Sequence, residues 1–208
     1  MKQYFISADL GQAADYTAIS VIEKMDETLN VRHLERLKLG VSYPDQVQHI
    51  KRIYEAIRDM LPPDQIRKGF GGEILPVKLV VDKSGVGRAV ADLMRKEGLS
   101  PIEITIHGGN DPRKDGNNWY LPKRDLVYEL IMALQTGHLK FAQSLPEVEI
   151  LVRELQNFKM KMNPNTGHDS YEAIGREGVH DDLVLSVAMA VYAAKETRPS
   201  APIRVSLR

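Results

Sequence analysis

The sequence predicts an α/β fold: one mixed β-sheet, antiparallel in its first three strands and parallel afterwards, flanked by helices and carrying a late β-hairpin insertion. Three observations lead there. The chain opens with three strand-like runs joined by short links. It then alternates strand and helix from Pro76 onward. It closes on an apolar helix, "GVHDDLVLSVAMAVYAA" (Gly178–Ala194), that begins with three polar residues side by side.

"QYFISADLG" reads as a buried strand ending in a carboxylate and a glycine. "YTAISVIEKM" and "LNVRHLERLKL" alternate as two further strands, and the short "DETLN" between them predicts an antiparallel hairpin. "SYPDQVQHIKRIYEAIRDML" has Pro44 near its start and Val47, Ile50, Ile53, Tyr54 and Ile57 at helical spacing, so it is an amphipathic helix, ended by Pro62–Pro63. "PVKLVVD" is a short β-branched strand, "SGVGRAVADLMRKEG" a helix closed by Gly98, and "IEITIH" another strand. "GGNDPRKDGNNWYLP" reads as a polar loop, and "KRDLVYELIMALQTG" as a helix stopped by glycine. "LPEVEILVRELQNF" begins as a helix, and "FKMKMNPNTGHDSYEAI" has strand-like flanks around a turn. Right-handed crossovers place the strand ending at Asp82 beside the first strand and parallel to it. This order is that of a ribonuclease H-like fold.

With 208 residues the chain fits one domain, 1–196, followed by a tail, 197–208, that contains Pro199 and Pro202. The 28 basic and 28 acidic residues cancel, which excludes a general polyanion-coating protein and confines any nucleic-acid contact to local patches. The absence of cysteine excludes disulfides and thiolate zinc sites. No signal peptide is expected, because Met1–Lys2–Gln3 leads straight into a strand, and no apolar run reaches bilayer length, so no membrane partner is expected.

Three positions carry the chemistry. Asp9 ends the first strand, Asp82 ends "VKLVVD", and Asp181 and Asp182 begin the last helix. In the predicted topology the first two strands are neighbours, and a helix packed across the sheet brings its N-terminal acids to the same point. Clustered carboxylates repel and raise one another's pKa, and a divalent cation relieves this. Oxygen ligands with open water positions suit Mg²⁺ or Mn²⁺, and two such ions about 3.5–4 Å apart can hydrolyse a phosphodiester. Asp15 is a candidate outer ligand, and Lys83, beside Asp82, a candidate to neutralise a phosphate or orient water. His180 is either a ligand, a proton carrier or structural. The competing account of Asp181 and Asp182 is helix capping, since acids satisfy free N–H groups at a helix start. Asp9 competes as a turn residue, and Asp82 as a cap or phosphate-loop residue. The Gly85-x-Gly87 pair is only part of a nucleotide fingerprint. Candidate DNA contacts are Arg113, Lys114, Lys123, Arg124, Lys159 and Lys161, with Trp119 and Tyr120 able to touch a sugar or base; the competing account is that the basic residues are simply solvated and that Trp119 anchors its own loop.

"SADLGQAADYTAISVIE", "VVDKSGVGRAVADLMR", "LPKRDLVYELIMALQTGHLKF" and "GVHDDLVLSVAMAVYAA" together resemble the nuclease domain of phage terminase large subunits, over about residues 4–195. The resemblance implies a ribonuclease H-like endonuclease that cuts double-stranded viral DNA during packaging with divalent metal, Mg²⁺ or Mn²⁺. Its first acid falls on Asp9, its second on Asp82, and its last on Asp181 or Asp182. It also implies a packaging ATPase domain, a portal and a small terminase subunit as partners, and the cytoplasm of an infected bacterial host as the place of action. No G-x-x-x-x-G-K-[ST] phosphate loop occurs, so ATP hydrolysis is not expected of this chain, which reads as an isolated domain or a free-standing relative. Two other functions compete. One is a Holliday-junction resolvase-like nuclease of the same fold, which would share the acids. The other is an actin-like ATPase or sugar kinase fragment, which would need a second phosphate loop and a longer chain.

Overall fold

The computed structural model describes residues 2–11, 15–69, 72–74, 76–85, 87–162, 169–173 and 180–197. Its strands β1 (Gln3–Asp9), β2 (Ala18–Met25) and β3 (Thr28–Arg36) pair antiparallel in sequence order. The turn between β2 and β3 is Asp26–Glu27, tighter than the link expected from sequence, with Met25 opposite Thr28. Helix α1 (Tyr43–Asp59) is capped by Ser42, whose hydroxyl accepts from the Asp45 N–H at 3.3 Å. A small hairpin, β4 (Arg67–Gly69) and β5 (Gly72–Ile74), precedes β6 (Val77–Asp82). Next come α2 (Gly87–Lys96), β7 (Ile102–His107), β8 (Arg113–Asp115), β9 (Asn118–Pro122), α3 (Lys123–Gln135), β10 (Leu139–Phe141) and α4 (Val148–Asn157). The chain continues through β11 (Phe158–Met162), β12 (Asp169–Ala173) and α5 (Asp182–Glu196).

Eight strands form one sheet in the order β10-β3-β2-β1-β6-β7-β9-β8. β1, β6, β7 and β9 run parallel to one another; the connections from β1 to β6 and from β6 to β7 pass through α1 and α2, and that from β7 to β9 passes through β8. β1 places Phe5 on one face and Ile6 on the other. Both faces are covered, which is why β1 and β6 read as continuous apolar runs rather than alternating ones. Val47, Ile50 and Ile57 of α1 and Val90 and Met94 of α2 pack on one side. Leu126 and Leu130 of α3, Leu151 of α4 and nearly all of α5 pack on the other.

Helix α5 lies against β1 and β2. It is pinned there by Ser186, whose Oγ donates to the Ser7 carbonyl at 3.1 Å and sits 3.0 Å from Ser20 Oγ. This contact, between buried polar groups that satisfy each other, fixes how far along the sheet the helix N-terminus reaches.

One expectation is corrected. The glycine- and asparagine-rich stretch from Gly108 to Pro122 is not all loop: its second half is the β8–β9 hairpin, turning at Gly116–Asn117. Its polar residues face solvent at the sheet edge, while Trp119 and Leu121 alternate inward and β9 pairs with β7. Two elements have no counterpart in the sequence reading, β4–β5 and the three-residue β10 that joins β3 in parallel. The hairpin expected around Asn163–Gly167 is present as β11 and β12, and its turn lies outside the described residues.

Candidate metal-binding active site

β1 and β6 are adjacent and parallel, with Ala8 opposite Val81. Asp9 and Asp82 therefore emerge together, one residue further on, at the carboxyl edge of the sheet. Open α/β sheets place their ligands at this edge. The loop after each strand is held by a close backbone approach. A Cβ on Gly87 would come 2.0 Å from the Asp82 carbonyl oxygen, and one on Gly11 would come 2.2 Å from the Asp15 carbonyl oxygen. Only glycine fits at either position. The glycines of "SGVG" thus serve the Asp82 turn, in which Asp82 Oδ1 accepts from the Ser84 N–H at 2.7 Å.

The Gly11 fold-back is tied down by α1. Gln46, buried, donates to the carbonyls of Gly11 (2.9 Å) and Val41 (3.0 Å), and its Oε1 lies 2.9 Å from Thr17 Oγ1. The Gly11 N–H in turn donates to Thr17 Oγ1 at 3.0 Å.

α5 delivers the remaining acids. Asp181 is the N-cap residue, yet among the described residues its side chain accepts no capping hydrogen bond. Its Oδ2 instead pairs with Lys123 Nζ at 2.7 Å. The helix start is served by Glu154 of α4, whose Oε2 accepts from the Val184 N–H at 3.1 Å. Asp181 thus makes no side-chain cap, and Glu154 takes an N–H that such a cap would serve. Successive helix residues diverge by about 100°, and the two acids face different neighbours. Asp181 meets Lys123, while Asp182 Oδ2 lies 3.8 Å from His180 Nδ1.

The electrostatics are those of crowded carboxylates. Burial, followed by Asp82, Asp182 and Asp181, holds Asp9 well above the usual carboxylate range, opposed by Lys123. Burial also raises Asp82, against its hydrogen bonds from Ser84 and the charge of Lys123. Asp182 is pushed up to about 6 by burial, with His180 opposing and Asp181 and Asp15 adding to the shift. Glu154 is pushed up to about 7 by burial and, further, by Asp182. Asp182 Oδ2 is buried with no hydrogen-bond partner among the described residues. A hard divalent cation matches this donor set. It would supply counter-charge to Asp9, Asp82, Asp181 and Asp182, whose carboxylates raise the Asp9 pKa, and a partner for the orphaned oxygen.

The other expected site residues are distributed as follows. Asp15 joins His180 and Asp182 in a group whose ligand atoms all lie within 4.8 Å of one another. Lys83 is engaged by Glu103 (2.6 Å) and Asn118 (2.7 Å), and the cation that lies among the carboxylates is Lys123. Arg124 binds Asn110 and Asp125, bracing the 108–112 loop. Lys114 pairs with Glu196 and stacks over Trp119, and Arg113, exposed, lies over Tyr120. Of the two readings of Trp119, the structure favours the loop anchor over the DNA contact: it is buried in the core with Tyr192 at its edge and its indole N–H on the Gly116 carbonyl. Lys159 and Lys161 lie on β11, and their side chains fall outside the described residues.

Three participants escaped the sequence reading. Glu154 had a signal, an acid on the apolar stripe Val148, Leu151, Leu155 of α4. Tyr16 meets the His180 ring edge-on at 5.2 Å, and Arg36 lies 4.5 Å over the Tyr16 ring. Neither carries a local sign of that role.

The fold matches solved structures over nearly its whole length. The large terminase nuclease of thermophilic phage G20c with bound magnesium is 25% identical, with a TM-score of 0.62 over 92% of this chain and 81% of that one. The human cytomegalovirus terminase nuclease domain, manganese-soaked, gives 14% identity and a TM-score of 0.54, covering 92% of this chain and 84% of that one. This is the fold of the terminase nuclease domains. The resemblance read from the motifs is thereby matched by the architecture. A large terminase from another thermophilic bacteriophage aligns with 92% of this chain over 39% of its own length, at 13% identity and a TM-score of 0.58. No family model and no curated protein sequence matches the chain. No helix among the described residues is long and apolar enough to cross a membrane.

Proposed function

We propose that this chain is a metal-dependent endonuclease that cuts double-stranded DNA during viral genome packaging. The observation that carries the proposal is the meeting of Asp9 and Asp82, on neighbouring parallel strands, with Asp181 and Asp182 at the start of α5, in the fold of terminase nuclease domains. Asp9, Asp82, Asp181 and Asp182 would hold Mg²⁺ or Mn²⁺, with Asp15 as an outer ligand. Bound ions of this kind activate water and stabilise the leaving oxygen of a phosphodiester.

The chain's own groups have separable tasks. Raised pKa values at Asp9 and Asp82 make the metal-free site costly to ionise, so cation binding and deprotonation are coupled. Lys123 offsets part of the acidic charge and holds Asp181 in place. Arg113, exposed at the sheet edge, and Lys159 and Lys161 on β11 are the proposed phosphate contacts. Residues 1–196 would be the nuclease domain and 197–208 a tail. A packaging ATPase domain, a portal and a small terminase subunit are the proposed partners, in the cytoplasm of an infected bacterium.

The test is cleavage of supercoiled plasmid with Mg²⁺ or Mn²⁺ against the same reaction in EDTA. Nicked or linear product with metal, and intact plasmid with chelator, is the expected result. Cleavage unaffected by EDTA would refute the metal-dependent reading.

A further inference from the structure

We propose that Gln46 is a positioning residue for the acidic site: with Thr17 it fixes the backbone of Gly11, and so sets where Asp9 and Asp15 stand when a cation binds. The inference rests on the metal-dependent reading above and adds to it a side chain that touches neither ion nor DNA.

The connection between β1 and β2 has an acid near each end. Asp9 is the last residue of β1, and Asp15 comes three residues before Ala18, the first of β2. The two ends meet at Gly11. A Cβ there would come 2.2 Å from the Asp15 carbonyl oxygen and 2.7 Å from the Tyr16 carbonyl oxygen. Backbones this closely packed move together, so a shift of Gly11 displaces Asp15 on one side and Asp9, two residues back, on the other.

Gly11 is held from outside the connection, by α1. Gln46, near the start of that helix, is buried. Its Nε2 has two protons and uses both, on the carbonyls of Gly11 at 2.9 Å and Val41 at 3.0 Å. Its Oε1 accepts from the Thr17 hydroxyl at 2.9 Å, and Thr17 Oγ1 accepts from the Gly11 N–H at 3.0 Å. Only one amide orientation fits, because the two carbonyls can only accept. The Thr17 carbonyl accepts in turn from the Leu37 N–H at 2.8 Å. One buried amide thus ties the β1–β2 connection to the link between β3 and α1.

An arrangement of this kind bears on ion binding more than on folding. Oxygen ligands meet Mg²⁺ at about 2.0–2.1 Å in near-octahedral array, so a backbone shift of about half an ångström costs affinity. Methionine at 46 fills nearly the same space and makes none of the three bonds.

The experiment uses the full chain and Mn²⁺ itself, with free Mn²⁺ read by electron paramagnetic resonance during titration and plasmid cleavage measured in parallel. Gln46→Met should weaken Mn²⁺ binding by about tenfold or more. It should raise the Mn²⁺ needed for half-maximal cleavage by the same factor, leave KM for DNA unchanged, and regain most activity at saturating Mn²⁺. Thr17→Val should behave alike, and Thr17→Ser, which keeps the hydroxyl, should bind as wild type does. Ile57→Ala, which opens the core at the far end of α1 about 16 Å away, should lower Tm and leave Mn²⁺ affinity unchanged. If Gln46→Met fails to fold by circular dichroism, the Thr17 pair decides. Wild-type Mn²⁺ affinity in folded Gln46→Met or Thr17→Val would overturn the proposal and leave the nuclease reading intact. So would an equal loss of affinity in Ile57→Ala, since destabilisation alone would then account for it. A wild type that binds no Mn²⁺ and cleaves DNA in EDTA would instead remove the reading beneath it.

Discussion

Lys123 Nζ sits 2.7 Å from Asp181 Oδ2, so the first residue of α3 neutralises the N-cap of α5 at the mouth of the acidic site. Lys123→Met removes a charge that lowers both Asp9 and Asp82. The metal-free variant should melt lower than wild type at pH 8, and the gain in Tm on adding Mn²⁺ should be larger, because the cation then replaces more missing charge. Differential scanning fluorimetry with and without Mn²⁺ measures this. An unchanged metal-dependent gain would show that Lys123 does not share the site's charge balance.

Asp82→Asn preserves shape and the acceptor for the Ser84 N–H while removing a ligand charge. Cleavage should fall by orders of magnitude. Metal-free stability should rise slightly, because a carboxylate destabilised by burial has gone. Plasmid cleavage and a thermal melt check the two halves. A folded variant with near-normal activity removes Asp82 from the site.

Asp181→Asn and Asp182→Asn should both lose activity, and differ in stability. Were they caps, either change would be nearly silent, since asparagine caps about as well as aspartate. Asp181→Asn breaks the pair with Lys123 and should melt lower. Asp182→Asn relieves a buried charge pushed up to about 6 and should melt higher without metal. Equal melting temperatures and wild-type rates would return the pair to a capping role.

Stability without metal should fall as pH rises. Asp182 and Glu154 stand at about 6 and about 7 when folded, against 3.8 and 4.5 ordinarily. Between about pH 4 and pH 7 the folded chain keeps protons that the unfolded chain has released. The stability they contribute is complete below pH 4 and is lost as pH passes through 6 and 7, on the order of a few kcal/mol together. In EDTA, Tm should therefore decline from pH 5 to pH 8, and Mn²⁺ should flatten the decline. A metal-free Tm that is level over this range contradicts the shifts.

Glu154→Gln keeps an oxygen for the Val184 N–H, whereas Glu154→Ala leaves that N–H without its side-chain partner and Arg36 with Glu147 alone of its two acids. Alanine should cost about 1–2 kcal/mol as a lost cap, and glutamine clearly less. Urea denaturation in EDTA at pH 8 separates them. Equal losses would mean that the carboxylate charge, rather than the cap, is what α5 uses.

Asp9 and Asp82 were legible as acids at strand ends because each closes a buried, strand-like run and precedes a glycine-bearing loop, a local pattern that survives without knowledge of neighbours. Asp181 and Asp182 were legible as a pair, but not by direction. The roughly 100° between them gains meaning only once Ser186 fixes how α5 lies on β1 and β2. Lys83 and Lys123 show the limit plainly. Adjacency to Asp82 in sequence put Lys83 at the site, but neighbouring residues leave a strand in opposite directions, and Lys83 goes to Glu103. Lys123, 41 positions away, reaches Asp181 through the packing of α3 on α5. The β8–β9 hairpin was hidden because an edge strand exposed to water has little apolar pattern to read.

The burial of α5 has a consequence for how the protein comes into being. Its last element of described structure is both the centre of one face of the core and the carrier of two of the four acids. A chain still emerging from the ribosome can pair β1 with β6 and bring Asp9 beside Asp82, yet that face of the sheet, with α3 and α4 in place, still lacks its central helix until α5 is released. Domains complete their folding as units, so the step that closes the core is also the step that assembles the site. On the proposed function, a truncated or unfinished copy would carry only Asp9 and Asp82 of the four acids on an incompletely covered sheet, and would cut nothing.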